Sequence, residues 1–408
     1  MKQNTVILGG GISGLVSALS AKNADQKVYL YESSERLGGL ISTKQTQYGI
    51  VETAANGFIL TDEIQSLLQK LNLKFISAKK ESKRRYFYSK GKITQFPISI
   101  YDLLRAVFGF LFINSQTKPN ENCLQWSRRI FGDNTATRLM EPALGGIYGA
   151  KLESLDPQML FSNLDWSKRL SFFRRLVSRK GRKKNLGLVS FENGMGTVIQ
   201  ALESAVSKNA VIFSNRPAPK ISELINKYQS PEIHICLPLN ECYSYIKEIY
   251  PSIPIPHFLN ISTVTCFSWE RLTEKPGFGI LFPKREGMNA NGVLFNSDIF
   301  DYRTSNENLF SETWIFISDP QTKRTDDEIL ELLSQDRGKI APDARPAVQS
   351  YVTHWHQKFP VYDRTLLEFN LKLDRIESDY FDRGIKLLFK GNYRRGIGLR
   401  NLIEMAAR

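Results

Sequence analysis

The feature that most constrains this chain lies at its start. Thr5-Val6-Ile7-Leu8 reads as a short buried strand, Gly9-Gly10-Gly11-Ile12-Ser13-Gly14 follows at once, and small and apolar residues from Leu15 to about Ala24 predict a helix. In such a strand–turn–helix unit, Gly9 permits the tight turn, Gly11 lets the main chain come close to a pyrophosphate, and Gly14 lets the helix pack on the strand. Ile12 and Ser13 open the helix, whose unpaired N–H groups present a partial positive charge to phosphates. A second strand, Lys27 to Tyr31, ends at Glu32, near the offset of about 20 residues at which an acid meets ribose hydroxyls and disfavours a 2′-phosphate. Incidental glycines in an ordinary βαβ turn would satisfy the spacing alone; both strands, the helix and the acid in order point to a dinucleotide.

The whole chain sets the outer bounds. Its 408 residues allow two or three domains around sizeable cores, and an apolar share of 42% argues against disorder. Cys123, Cys236, Cys242 and Cys266 form no CxxC pair and no zinc-ligand spacing, which fits a reducing compartment. Met1 to Asn4 run straight into the first strand with no secretory signal, so a cytoplasmic address is expected. No stretch approaches the roughly 18 apolar residues of a spanning helix. The net charge of +14 admits nucleic acid, anionic lipid or an acidic small molecule as partner.

The residues after the ribose acid separate FAD from a nicotinamide. Glu32-Ser33-Ser34-Glu35-Arg36-Leu37-Gly38-Gly39 sets Arg36 and a glycine pair where the main chain must again approach the cofactor and a guanidinium can meet phosphate charge. This resembles the second half of the long FAD fingerprint in the protoporphyrinogen and coproporphyrinogen oxidase family of the FAD-dependent amine oxidase superfamily.

Further segments carry the same resemblance from Thr5 to Arg408. Val51 to Phe58, with Ala55 and Asn56, stands where that family places a segment beside the flavin, although Ala54 and Ala55 replace its Gly-Pro. Arg85-Tyr86-Phe87-Tyr88 resembles the hairpin whose arginine meets a substrate propionate, and a guanidinium suits a planar carboxylate. A solvated Arg closing the run Lys83-Arg84-Arg85 is the plainer reading. Glu141 to Ala150 is the most specific match; Gly149 and Ala150 stand in inverted order relative to the family and would leave room for a tetrapyrrole. Phe191 to Thr197 resembles a turn opening a helix. Gly277 to Pro283 resembles a cavity-lining strand, so that Phe278, Gly279 and Leu281 would face the macrocycle, unless they are plain core.

Gly391, Asn392, Gly396, Ile397 and Gly398 resemble the return of the chain to the flavin, ahead of a closing helix from Leu402 to Ala407. Only about thirty residues separate Leu202 from Ile233, where the family carries a longer β-meander that clamps the adenine. Val211 would begin a reduced clamp, with Ile233 to Pro238 as the returning strand.

The resemblance implies an α/β fold: a Rossmann-like FAD-binding domain assembled from discontinuous segments (1–80, 186–250 and 376–408), an α+β substrate domain (81–100 and 251–375) and a mostly helical membrane-associating insertion (101–185). Lys168, Arg169, Arg174, Arg175, Arg179, Lys180, Arg182, Lys183 and Lys184, interleaved with Phe and Leu, predict a basic amphipathic helix on an anionic membrane, joined by the apolar stretch Ala106 to Ile113. A solvated helix face beside a core helix would look the same. That places the protein on the inner face of the cell membrane, with no nucleic-acid module to use the charge otherwise.

The implied chemistry is oxidation of protoporphyrinogen IX or coproporphyrinogen III in heme biosynthesis by hydride transfer to flavin N5, with molecular oxygen as acceptor. No catalytic side chain and no metal are expected, because the flavin carries the chemistry; His354 and His356 lack a third ligand nearby. Another flavin amine oxidase, a carotenoid-type desaturase or a non-catalytic relative stays open, as does a homodimer.

Overall fold

Strands β1 (Thr5–Leu8) and β2 (Val28–Tyr31) run parallel in register Thr5 to Val28, joined through helix α1 (Ile12–Ser20). In the computed structural model, which describes residues 4–21, 27–162, 164–178, 184–229 and 231–408, this pair is the centre of a five-stranded sheet. Strand Ala210–Phe213 adds beside β2, Glu232–Ile235 beside β1, and Leu387–Phe389 at the far edge, every pairing parallel. One sheet therefore recruits segments from both ends and the middle of the chain.

A parallel sheet has to be covered on both faces. Ile7, Val28 and Leu30 pack with α1, with helix Gly196–Ser207 through Val198, Ile199 and Leu202, and with helix Leu399–Ala406 through Ile403. Val6, Leu8, Ile233 and Ile235 face the other way onto helices Ile221–Tyr228, Leu239–Lys247 and Arg364–Asp382. The short segment expected to hold a reduced clamp is a single edge strand followed by a helix, with Ile221, Leu224 and Tyr228 supplying the cover. The closing helix starts at Leu399, three residues earlier than the composition suggested, and packs along α1.

The second sheet has seven strands in the order Gln349–Pro360, Phe258–Ser268, Phe310–Ser318, Gly292–Leu294, Gly279–Leu281, Tyr86–Ser89 and Lys92–Thr94. Strands alternate sides. Val264, Cys266, Trp314, Phe316, Ile280 and Phe282 are buried under Ile329 and Leu333 of helix Asp326–Ile340. Ile261, Thr263, Ile315, Ile317 and Leu281 point to the opposite face and stay only half-buried.

Between the sheets, residues 100–177 are mostly helical. Helix Ile100–Phe112 is started by a capping box between Ser99 and Asp102 and lies so close to the next helix that a Cβ on Gly109 would sit 1.6 Å from the carbonyl oxygen of Ile130. The basic amphipathic helix expected over 168–184 is here only Phe172–Val177. Arg175 is a core residue rather than part of a cationic face: 1% exposed, it donates to Ser115 Oγ and to the carbonyls of Asp165 and Lys168. Arg179, Lys180, Arg182 and Lys183 lie outside the described residues.

Candidate functional site

The carboxyl ends of the parallel strands release the chain into turns on one rim, the place where open α/β sheets bind ligands. Gly9 takes φ +98°, and a Cβ there would lie 2.9 Å from the carbonyl oxygen of Cys236 at the end of the neighbouring strand. A Cβ on Gly14 would fall 1.8 Å from the carbonyl oxygen of Gly9, so helix and turn meet only because both residues lack side chains. The second glycine turn folds onto the first: Gly38 N–H donates to Gly10 C=O at 2.8 Å, and a Cβ on Gly39 (φ +59°) would approach Gly11 Cα to 3.2 Å. Two main-chain turns without side chains therefore line a single cleft at the start of α1, with Ile12 and Ser13 as its first buried residues.

Glu32, 9% exposed, accepts the Gly10 N–H on Oε2 at 2.7 Å and the Ser34 N–H and Oγ on Oε1. Oε2 keeps capacity for another donor, as a ribose hydroxyl requires. Arg36 wraps its own loop, donating to the carbonyls of Leu37, Gly39 and Ile41, and so shapes the turn that faces the cleft. Val211 sits in mid-strand with its side chain half exposed, and the neighbours that reach Glu32 are Phe213, whose carbonyl accepts the Glu32 N–H, and Arg216.

From the far end of the chain, Gly391 is buried, and Asn392 donates Nδ2 to Lys358 C=O while its buried Oδ1 has no protein partner. Gly396 takes φ +112°, Ile397 is half-buried, and Gly398 stands in open space at the uncapped start of helix Leu399–Ala406. The FAD that the sequence resemblance implies fits these residues. The two glycine turns pack on one another while Gly11 stays open, and an orphaned acceptor, Asn392 Oδ1, and a bare helix start at Gly398 lie on the same return loop.

Across from this rim stands the half-buried face of the seven-stranded sheet. Trp355 donates its indole N–H to Thr53 C=O at 2.7 Å, and Tyr48 packs on Phe267, so this face looks toward the hairpin β3 (Thr43–Thr46) and β4 (Gly49–Glu52). Ala55 and Asn56 follow on the same segment, where Asn56 C=O accepts Ser190 Oγ. Helix Glu141–Tyr148 closes one side with Gly145 and Gly146; a Cβ on Gly146 would lie 2.9 Å from Leu281 Cδ2.

A family model for NAD(P)-binding Rossmann-like domains matches residues 7–71. Along 97% of its length the chain is 22% identical to protoporphyrinogen oxidase 2 of Arabidopsis thaliana, covering 91% of that protein. It is 24% identical to the coproporphyrinogen III oxidase of Bacillus subtilis, over 55% of the chain and 54% of that enzyme. A crystal structure assigned as a protoporphyrinogen oxidase from Exiguobacterium sp. superposes over the whole chain and 97% of its own with a TM-score of 0.77 at 15% identity. The chain is thus similar to porphyrinogen oxidases over nearly its whole length.

The remaining expected residues separate into two groups. Arg85 lies at the surface just before strand Tyr86–Ser89, its guanidinium 4.2 Å over the Phe278 ring, and Leu281 lines the half-open face. Gly279, Gly149 and Ala150 are packed instead. Gly279 (φ +150°) admits the neighbouring strand, since a Cβ would come 2.0 Å from Val293 C=O. Gly149 is the left-handed cap of its helix against Leu259, and Ala150 joins the core. Gly145 and Gly146, one turn earlier, are close-packed as well, against Ala150 C=O and Leu281, so this helix segment lies tight on the sheet.

The titratable groups near the cleft are structural in placement. Cys236 is buried beside Gly9, and burial pushes its thiol up to about 11. Burial likewise raises the Glu52 carboxyl to about 7, against hydrogen bonds from Met195 N–H and Thr43 that favour its ionised form. His354 bridges Ser262 Oγ and Asp326 on the far side of its strand from Trp355, and among the described residues no cluster of His, Cys, Asp and Glu could hold a metal. Sequence reasoning gave no role to Trp355, Arg303 or the Glu52 carboxyl. A lone acid after Ile50 and Val51 in an apolar strand was the visible signal for the last.

Proposed function

We propose that this chain is an FAD-dependent oxidoreductase that oxidises a porphyrinogen, protoporphyrinogen IX or coproporphyrinogen III, with molecular oxygen as electron acceptor. The observation that carries this reading is the half-open apolar sheet face set opposite the glycine cradle. Ile261, Ile315, Ile317 and Leu281 line that face and stay half-buried, an apolar surface of the kind a broad macrocycle requires. Bound FAD supplies the hydride acceptor.

The protein's own share is binding, orientation and exclusion of water. The turns at Gly11 and Gly38–Gly39 hold the dinucleotide by main-chain approach, and the start of α1 meets its phosphates. Trp355 and Thr53 tie the substrate wall to the cofactor segment, which fixes the distance between the reacting partners. Arg85, at the edge of that wall, is placed to pair with a carboxylate of the substrate.

A peripheral membrane address belongs to the same reading. Helix Ile100–Phe112 exposes Ile100, Tyr101, Leu104, Val107, Phe108 and Phe112, flanked by Phe173 and Val177 and by the cations Lys168, Arg169 and Arg174. A contiguous apolar patch rimmed by positive charge suits the headgroup boundary of an anionic bilayer. No described helix is long and apolar enough to cross a membrane.

Anaerobic mixing of FAD-loaded protein with each porphyrinogen tests the reaction. Bleaching of the flavin by one of them supports it; bleaching by neither, or by a simple amine instead, removes it.

A further inference from the structure

Glu52 ends β4 with 5% exposure and ties together several main-chain segments on the cofactor side. Its Oε1 accepts Met195 N–H at 2.7 Å, and its Oε2 accepts Thr43 Oγ at 2.8 Å. Thr43 Oγ in turn accepts Gly196 N–H at 2.8 Å, so two main-chain donors at the start of helix Gly196–Ser207, which has no side-chain cap, are met by this pair. Gly194 takes φ +85°, and a Cβ there would lie 2.6 Å from Oε1, so the close approach depends on that glycine.

The same helix backs the cradle, because a Cβ on Gly38 would strike Ile199 at 2.7 Å. The next residue, Thr53, donates Oγ to the carbonyls of Leu40 and Ser42. Glu52 is therefore joined to Gly39 through Thr53, its hydroxyl bond to Leu40 C=O and one further peptide step.

The charged group facing Glu52 is Arg303, from the substrate side. Arg303 is 1% exposed and spends its donors on Ser190 Oγ and Phe191 C=O, makes no ion pair with Glu52, and leaves Nε without a partner. The Glu52 carboxyl is thus buried with two hydrogen bonds but no ion pair, and burial outweighs them and raises it to about 7.

We propose that Glu52 is a proton-linked positioning residue of the dinucleotide site, which takes the cofactor when its carboxyl is neutral and opposes it when ionised. A dinucleotide brings a doubly charged pyrophosphate and excludes water beside a buried carboxylate, and both effects favour the neutral form. Linkage makes this reciprocal: if binding favours the proton, the proton favours binding. A one-unit upward shift of Glu52 on binding corresponds to about tenfold in affinity. The inference rests on the FAD reading above.

The test is titration of the cofactor-free full chain with FAD between pH 6 and pH 8.5, followed by flavin fluorescence. FAD itself has no group titrating in that range. The wild-type Kd should rise about tenfold toward the alkaline end, with its midpoint near neutrality. Glu52→Gln should be flat across the range and at pH 8.5 bind as tightly as wild type does at pH 6. Thr43→Val removes a bond that favours the ionised form, so its profile should move to higher pH. A flat wild-type profile, or a Glu52→Gln profile equal to wild type, overturns the proposal and leaves the cofactor reading intact. No FAD uptake at any pH overturns both.

Discussion

The indole N–H of Trp355, on the edge strand Gln349–Pro360 of the substrate-side sheet, reaches the main-chain carbonyl of Thr53 at 2.7 Å, and Thr53 holds Leu40 and Ser42 through its hydroxyl. One side chain thus ties the wall of the half-open face to the loop that follows Gly39. Trp355→Phe keeps an aromatic ring in place and leaves Thr53 C=O without its donor. We expect a stability loss of about 1–2 kcal/mol in denaturant titration. Cofactor content should stay unchanged while turnover falls, and unaltered turnover would remove the coupling.

Gly14→Ala places a methyl 1.8 Å from the carbonyl oxygen of Gly9, a backbone contact that no rotamer can relieve. Helix α1 must then shift away from β1. A loss of about 3 kcal/mol is expected, together with loss of FAD uptake, read by a urea melt and by absorbance of the purified protein.

Arg85→Ala should raise KM about tenfold with kcat within roughly threefold, since a surface guanidinium on a carboxylate contributes to binding more than to the chemical step. The flavin spectrum should not move, because Arg85 stacks on Phe278 and makes no contact with the glycine turns. Steady-state kinetics with each porphyrinogen decide the matter; an unchanged KM takes Arg85 out of the site.

Leu104→Asp with Phe108→Asp puts two charges on the exposed side of a capped helix, where neither residue supports the core. Folding should be unaffected by thermal melt. Co-sedimentation with anionic vesicles should fall at least about tenfold, and sedimentation equal to wild type would exclude this helix from the membrane.

Glu232 stands at the amino end of its strand, where His234 Nε2 and Lys386 Nζ meet its carboxylate at 2.8 and 2.7 Å and hold it down to about 2. Burial keeps His234 below its usual range, so near neutral pH the ammonium of Lys386 is the charged partner. A depressed carboxyl contributes stability that is present above its unfolded value of about 4.5 and lost as pH falls toward 2. Glu232→Gln should therefore be less stable than wild type by about 1–2 kcal/mol at pH 7. That gap should close near pH 2, as measured by denaturant titration across pH.

Much of the cofactor side is legible in local sequence. The turns at Gly9–Gly14 and Gly38–Gly39, and Glu32 between them, declare themselves because their duties are local: positive φ, absence of Cβ and a fixed offset along one βαβ unit. Gly396 and Gly398 at the far end are readable only through family resemblance, since nothing local says which strand they will join. The basic run misleads for a physical reason. Composition alone cannot show that Arg175 turns inward to satisfy three acceptors, or that the exposed apolar face belongs to helix Ile100–Phe112 instead.

Taken alone, then, the amino-acid order determined a dinucleotide turn, its ribose acid and the parallel strands that flank them, all set by backbone sterics within a few residues of each position. Tertiary structure decided which distant segments share the cleft, that Gly149 and Ala150 are packed into the core rather than left open, and that Glu52 is buried opposite an Arg303 with which it forms no ion pair. Those outcomes depend on how two sheets face one another, and burial and contact between residues far apart in the chain exist only once that packing is made.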